Sequence, residues 1–401
     1  MTEHLYYTDA YQTEFDAQIV ATTQINQQLA VMLDRSFFYP TSGGQLFDTG
    51  RLGDRTVIDV IAGENDDVWH VLDAPSTDAS PGQALHGVID WSRRYDHMQQ
   101  HTGQHLLSQI FYRHFGYETV SVHFGDTEST LDLDIATLAA AQLDEAEQIA
   151  NQMVYAALPI TAYFVSDAQL AQVPLRKPPK VTGKIRIVEI EQFDYSACGG
   201  THVRTTAEIG TVKFTRMERR RSQVRLTFLC GWRAYRDYAE KHRLLSETAN
   251  LFSTDSNEVP RLVERNLAQI KELQQSLKTL TEEQLAREAG ALVNAAHVGK
   301  KYRIVAQSFT DKEIGAVKTL AQNLQQYPGV ITLLAAGSGG KLTVIFTRAA
   351  DVEVHMGNLL RDSLRTVGGS GGGRADYAQG GADPAVAQAV LDFAMQQIEG
   401  A

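Results

Sequence analysis

Residues 101–105 read His101-Thr102-Gly103-Gln104-His105, and residues 198–202 read Cys198-Gly199-Gly200-Thr201-His202. The first stretch lies in a run, 95–115, whose Leu106, Leu107, Ile110 and Phe111 recur at helical spacing. Four residues are slightly more than one helical turn, so the two imidazoles leave the helix about 40° apart. By the same step of ~100° per residue they lie roughly opposite Leu106, Leu107 and Ile110. The expectation is that they face away from their own apolar stripe, toward a cleft. In the second stretch a thiolate donor and an imidazole donor bracket two glycines. Glycine tolerates positive φ, which would let Cys198 and His202 converge on one point instead of splaying along a strand. Each stretch alone has an ordinary reading, as incidental surface histidines or as a buried cysteine beside a turn. Together, His101, His105, Cys198 and His202 form a donor set suited to a tetrahedral zinc ion (Zn2+). Four protein ligands describe a closed site, whereas catalytic zinc keeps one position open. Catalysis there requires a weakly held ligand, His202 or His105, or a fifth position. Cys230, the second of two cysteines, has no such neighbours and reads as core.

Working outward, the chain divides into four parts. Residues 1–90 carry strand-length apolar runs at 27–33 and 55–61, punctuated by Gly43, Gly44, Gly50, Gly53 and Gly63, and predict a small β-barrel. Residues 91–235 predict an α+β domain. Its elements are the histidine helix, strands at 119–124, 131–135, 185–190, 210–217 and 224–230, and a second helix over 138–158. Residues 236–295 are helical, with a break at 253–257. Val263, Ile270 and Leu277 repeat every seven residues with Leu273 and Leu280 between them, which predicts an antiparallel helical hairpin. Residues 296–401 alternate strands and helices, as a compact α/β domain would, with a glycine cluster between the last two helices. The expected fold class is therefore α+β and multidomain: N-terminal β-barrel, α+β zinc domain, antiparallel helical hairpin and C-terminal α/β domain.

Composition narrows the function. The chain has no run of 18 apolar residues, no secretory-type start and two cysteines, which predicts a cytoplasmic protein with no membrane span and no disulfide framework. A net charge of -11 argues against nonspecific nucleic-acid binding. The charge is uneven, however. Residues 1–90 hold 3 Lys/Arg against 14 Asp/Glu, while residues 171–236 hold 14 against 5. Arg176, Lys177, Lys180, Lys184 and Arg186 form one basic stretch, and Arg216, Arg219, Arg220, Arg221 and Arg225 another. They predict a basic face for a polyanion on an acidic body, or simply a solvated surface.

The HTGQH and CGGTH pair, about a hundred residues apart, resembles the editing domain of alanyl-tRNA synthetases and the free-standing AlaX-type editing proteins. Three further stretches agree. Phe38-Tyr39-Pro40-Thr41-Ser42-Gly43-Gly44-Gln45 is similar to the family's barrel glycine motif, and Ser121-Val122-His123-Phe124-Gly125 to the strand lining its editing pocket. The run from Gly368 to Gly381, seven of whose residues are glycine, resembles the signature of the synthetase's tRNA-binding C-terminal domain. With only 90 residues before the histidine helix, the resemblance is to the editing and tRNA-binding parts alone, a long-form protein acting in trans without aminoacylation.

The resemblance implies zinc-dependent, ATP-independent hydrolysis of the ester in Ser-tRNA(Ala), in some members also Gly-tRNA(Ala). An alanine pocket rejects an added hydroxyl poorly and cannot exclude glycine. A second site that hydrogen-bonds the serine hydroxyl reverses the preference. The implied substrate-binding residues are Thr41, Ser42, Gly43, Gly44, Ser121 and His123. The implied tRNA contacts are Gly368, Gly369, Gly371, Gly372, Gly373, Arg374, Gln379 and Gly380. A homodimer through the C-terminal domain is also open to such a chain. Three rival readings stand beside it: a deacylase of another mischarged tRNA, since the threonyl synthetase editing domain shares the histidine and cysteine pattern; a catalytically silent tRNA-binding relative; and a phosphoesterase of the DHH type. Asp96-His97-Met98 breaks the motif that the last would need.

Overall fold

The computed structural model describes residues 1–400 other than 74–78, 180, 181, 311 and 339. It contains two compact units, Met1–Thr248 and Ala249–Ala401. Among the described residues no helix is long and apolar enough to cross a membrane.

The first unit opens with a closed antiparallel barrel. Its strands are β1 (Glu14–Ile25), β2 (Gln28–Leu33), β3 (Gly50–Leu52), β4 (Arg55–Ala62), β5 (Val68–Leu72) and β6 (Ala84–Ile89), in the order β1-β2-β5-β4-β3-β6. Phe15, Ala17 and Ile19 alternate inward on β1 and meet Val31, Leu33, Val57, Val60 and Leu72 in the interior. His70 is fully buried there, bonded to Ser36 Oγ at 2.7 Å and to the Val31 carbonyl at 3.1 Å. Burial pushes its pKa down to about 4 from 6.5. The unfolded chain therefore takes up the proton first. The barrel is expected to keep this contribution above pH 6.5 and to lose it as pH falls through 4, by up to about 3 kcal/mol. Urea unfolding at stepped pH checks this, and His70→Phe should flatten that part of the profile.

Helix α1 (Trp91–Phe115) follows, capped by Asp90 and stopped by Gly116 at φ 71. Around it stand a four-stranded antiparallel sheet and a three-stranded one. The first has β7 (Thr119–Phe124), β8 (Ser129–Leu133), β12 (Val212–Arg220) and β13 (Gln223–Cys230), in the order β12-β13-β8-β7. The second has β9 (Ile160–Val165), β10 (Ile185–Ile190) and β11 (Asp194–Ala197) in sequence order. Helix α2 (Ala140–Tyr155) also packs into this core. The expected one-sided helix is not what forms, because α1 is buried on every side from His97 to Phe111. Its polar face is stitched to its surroundings instead. Gln99 donates to the Glu208 carbonyl at 2.8 Å, Gln109 donates to the Phe193 carbonyl at 2.7 Å, and Gln100 pairs both ways with the Cys230 backbone. Cys230 is core as expected, packed against Gly103, where any side chain would overlap its sulfur.

Helix α3 (Trp232–Leu251) and helix α4 (Val259–Asn294) account for the helical stretch, with a short turn at Ser256–Glu258 near the expected break. The heptad residues Ile270, Leu273, Leu277 and Leu280 are exposed. In the second unit, β14 (Arg303–Phe309), β15 (Val330–Ser338), β16 (Lys341–Arg348), β17 (Ser370–Gly373) and β18 (Tyr377–Ala382) form a mixed sheet with the two-residue strand His297–Val298. The order after that strand is β14-β15-β16-β18-β17. Helix α5 (Ile314–Leu324) and the end of α4 cover one face, and α6 (Met356–Arg365) and α7 (Ala387–Glu399) the other. The glycine cluster expected between the last two helices is the edge hairpin β17–β18. Gly371 faces Gly380 with Leu364 of α6 seated on both, and a Cβ at either would strike that leucine or the facing backbone. The glycines here serve close packing, and only Gly368 of the tract has positive φ.

Candidate functional site

His101 and His105 project from α1, and Cys198 and His202 from the turn after β11. Their ligand atoms all lie within 4.8 Å of one another, so the four side chains could hold a metal ion. Cys198 Sγ is 3.4 Å from His101 Nε2 and 3.3 Å from His202 Nε2. The three imidazole centroids are 4.5 to 5.1 Å apart. Burial works against a thiolate, but His101, His202 and His105 around it hold the Cys198 thiol well below its usual range. Burial likewise disfavours a cation at His105, yet Cys198 and Asp194 raise its pKa to about 9. At His202, burial together with the neighbouring His101 lowers it to about 3.

The glycines of the second stretch work differently from the expectation. Neither Gly199 nor Gly200 has positive φ. Gly200 instead lies flat against the His101 ring, and a Cβ there would overlap that ring and sit 2.9 Å from Gln45 Oε1. Arg186 holds the turn by donating from Nη1 to the carbonyls of Cys198 at 2.9 Å and Gly200 at 2.8 Å, with its guanidinium over Tyr7. Gly200→Ala is expected to push His101 out of line and to weaken metal binding at least tenfold. Chelator competition measures this, and Gly199→Ala, whose Cβ would meet only the Tyr7 hydroxyl at 3.3 Å, is the milder comparison.

Three groups not singled out as site residues complete the arrangement, each facing the second nitrogen of one histidine. Gln45 Oε1 is 2.8 Å from His101 Nδ1, and Thr102 Oγ1 is 3.1 Å from His202 Nδ1. Asp194 Oδ2 is 3.4 Å from His105 Nδ1, an ion-pair distance without hydrogen-bond alignment. Asp194 is fully buried, also takes a 2.8 Å bond from Ser196, and has Arg176 at 3.6 Å. Thr102 stands inside the 101–105 motif and Gln45 ends the 38–45 stretch, so adjacency was the available signal; Asp194 had none.

The substrate residues read from sequence divide. Thr41, Ser42, Gly43 and Gly44 form a turn in which Ser42 and Gln45 exchange backbone hydrogen bonds. Gly43 and Gly44 adopt φ 57 and 90, and a Cβ on Gly44 would lie 3.4 Å from Phe124, whose ring in turn lies tilted 5.1 Å from that of His101. That turn adjoins the cluster. Ser121 and His123 are exposed on edge strand β7, on the face opposite Val122 and Phe124, so the structure does not bring them to the cluster. A cavity of about 160 Å3 reaches His202, lined by Tyr6, Tyr7, Tyr11, Arg186 and Arg204 among others.

Most of the basic residues are already engaged. Arg225 pairs with Asp132, Arg216 and Arg220 with Glu218, Lys177 with the Thr119 carbonyl, and Lys184 lies over Phe164. Arg186 holds the cysteine turn, Arg216 and Arg220 stay exposed beside Glu218, and Arg219 and Arg221 at the β12–β13 tip are exposed without an ion pair among the described residues. Lys180 lies outside the described residues. Gly368, Gly369, Gly371, Gly372, Gly373, Arg374, Gln379 and Gly380 all belong to the edge hairpin of the second unit and its approach. Arg374 is exposed 3.5 Å from Asp376, and Gln379 accepts from the Tyr377 hydroxyl.

Residues 185–226 match the threonyl and alanyl tRNA synthetase second additional domain, and residues 299–400 the DHHA1 domain. The chain is 27% identical over 411 residues to the alanyl-tRNA editing protein AlaX-L of Pyrococcus horikoshii, covering 99% of this chain and 98% of that one. It is also 27% identical over 390 residues to the alanine–tRNA ligase of Pyrococcus abyssi, spanning 94% of this chain but 42% of the ligase. To the alanyl-tRNA editing protein AlaX-M of Methanosarcina barkeri it is 33% identical over 231 residues, which is 54% of this chain and 94% of that one. On identity of that level across nearly all of AlaX-M, the chain belongs to the alanyl-tRNA editing protein family, AlaX.

Proposed function

We propose that the chain is a zinc-dependent deacylase that hydrolyses Ser-tRNA(Ala), with Gly-tRNA(Ala) as a second substrate. The observation that carries this reading is the three-histidine, one-cysteine cluster beside a barrel turn in a chain of the editing family. The donor set fits zinc. A tetrahedron with bonds of about 2.0–2.3 Å has edges of about 3.5 Å; the sulfur lies 3.4 and 3.3 Å from the His101 and His202 nitrogens, and all four ligand atoms lie within 4.8 Å of one another. Bound there, zinc supplies Lewis acidity toward an ester carbonyl or a water.

The chain's own residues do the rest. Thr41 and Ser42 offer hydroxyls to serine, while the missing side chains of Gly43 and Gly44 leave room beside Phe124 for the aminoacyl group. Alanine leaves such polar partners unpaired and is disfavoured. Backbone amides of the β17–β18 hairpin, with Arg374 and Gln379, contact tRNA, and Arg219 and Arg221 contact phosphate. The working division is 1–90 barrel, 91–235 editing domain, 236–295 helical linker and 296–401 tRNA-binding domain. The test is release of serine, glycine, threonine and alanine from tRNA(Ala). Serine should be released fastest with alanine spared, and no cleavage above background for any of them would sink the proposal.

A further inference from the structure

Gln45 belongs to the barrel, yet its side-chain amide is buried in the metal cluster at 1% exposure. Its two amide atoms are distinguishable by what they face. The Thr201 backbone N–H, 3.1 Å away, can only donate, so the atom opposite it is the oxygen. That same Oε1 lies 2.8 Å from His101 Nδ1, so Nδ1 must carry a proton. Nε2 of His101 is thereby left with its lone pair on the side of Cys198 Sγ, 3.4 Å away. The remaining amide group, Nε2 of Gln45, donates to Thr201 Oγ1 at 2.8 Å. The mount is rigid: Ser42 and Gln45 close the turn with bonds of 3.1 and 3.0 Å, and Asp48, three residues on, is locked to Arg94 of α1.

On the metal reading above, we propose that Gln45 is a positioning residue, a barrel-borne amide that fixes the donor tautomer of His101 and ties the Thr41–Gly44 turn to the metal ligands. Metal affinity in this chain then depends on a residue 56 positions from the nearest ligand in sequence. The turn that would meet the amino acid and the ion that would meet its ester are held in register by one side chain.

The experiment compares Gln45→Met and Gln45→Glu with the wild-type full chain. Zinc affinity is read by chelator competition, and ligand geometry by the visible absorption of the cobalt(II) form. Methionine keeps the volume and removes the acceptor, so zinc should bind about 10–100-fold more weakly and the cobalt spectrum should shift. Glutamate still accepts from both N–H groups, and the Thr201 hydroxyl can turn to donate to it, so affinity should stay near wild type. Wild-type affinity and an unchanged cobalt spectrum in folded Gln45→Met overturn the proposal. If Gln45→Met does not fold, a tenfold loss in Gln45→Glu overturns it instead. Failure of the wild-type chain to take up zinc overturns the metal reading as well, which separates the two failures.

Discussion

Cys198→Ala should bind no zinc at micromolar concentration and lose more than about 100-fold in Ser-tRNA(Ala) deacylation, while tRNA affinity stays within a few-fold of wild type. Loss of a partner behind a ligand already costs about 10–100-fold in metal affinity or activity. Cys198 is itself a ligand candidate, and its thiolate is the negative charge that the three imidazoles surround. On the proposed reading tRNA is held by phosphate and edge contacts elsewhere on the chain, so its affinity should persist and weaken with salt. Metal content, ester hydrolysis and filter binding separate the three effects. A metal-free His101→Ala, Cys198→Ala double variant with full activity would remove the metal from the chemistry.

The second large effect is expected at a residue with no place in the chemistry. Arg94 and Asp48 are both fully buried and joined through 3.0 and 2.6 Å bonds. Arg94 also donates to the Ala10 and Phe37 carbonyls, and Asp48 accepts from the Tyr39 N–H at 2.6 Å. Asp48→Ala leaves a guanidinium in the interior without its counter-charge, and about 3–5 kcal/mol of folding stability should go with it. Replacing both partners by apolar residues, Arg94→Met with Asp48→Leu, should recover part of that loss, because neither charge is then buried while the Ala10 and Phe37 carbonyls and the Tyr39 N–H lose their partners. Urea denaturation decides. A loss under about 1 kcal/mol for Asp48→Ala would show that water or rearrangement satisfies Arg94. Since Asp48 ends the segment that carries Gln45, the single variant should loosen zinc as well.

Strand and helix positions were mostly legible because they rest on local periodicity. The 185–190 strand and the break between the two long helices are examples, and both appear where spacing puts them. The histidine helix was legible as a helix but not as a fully buried one. Gln99, Gln100 and Gln109 are satisfied by backbone groups far along the chain, two in turns at Phe193 and Glu208 and one in the strand that ends at Cys230. The glycine tract was legible as glycine-rich but not as a packed hairpin, for a related reason. A glycine that answers to a positive φ and one that answers to a leucine packed from another element look the same in sequence. At Gly371 and Gly380 the second case holds.

The donors themselves are a local matter: two imidazoles one turn apart, and a sulfur and an imidazole four residues apart, are nominated as candidate metal ligands by residue type and spacing. What orients those donors is nonlocal. Gln45 comes from the barrel, Thr102 reaches His202 across 100 positions, and Asp194 meets His105 from the end of a strand. A polar side chain tells nothing of its partner until folding buries it, and burial, by making an unpaired group costly, selects the pairing that sets each ring in place.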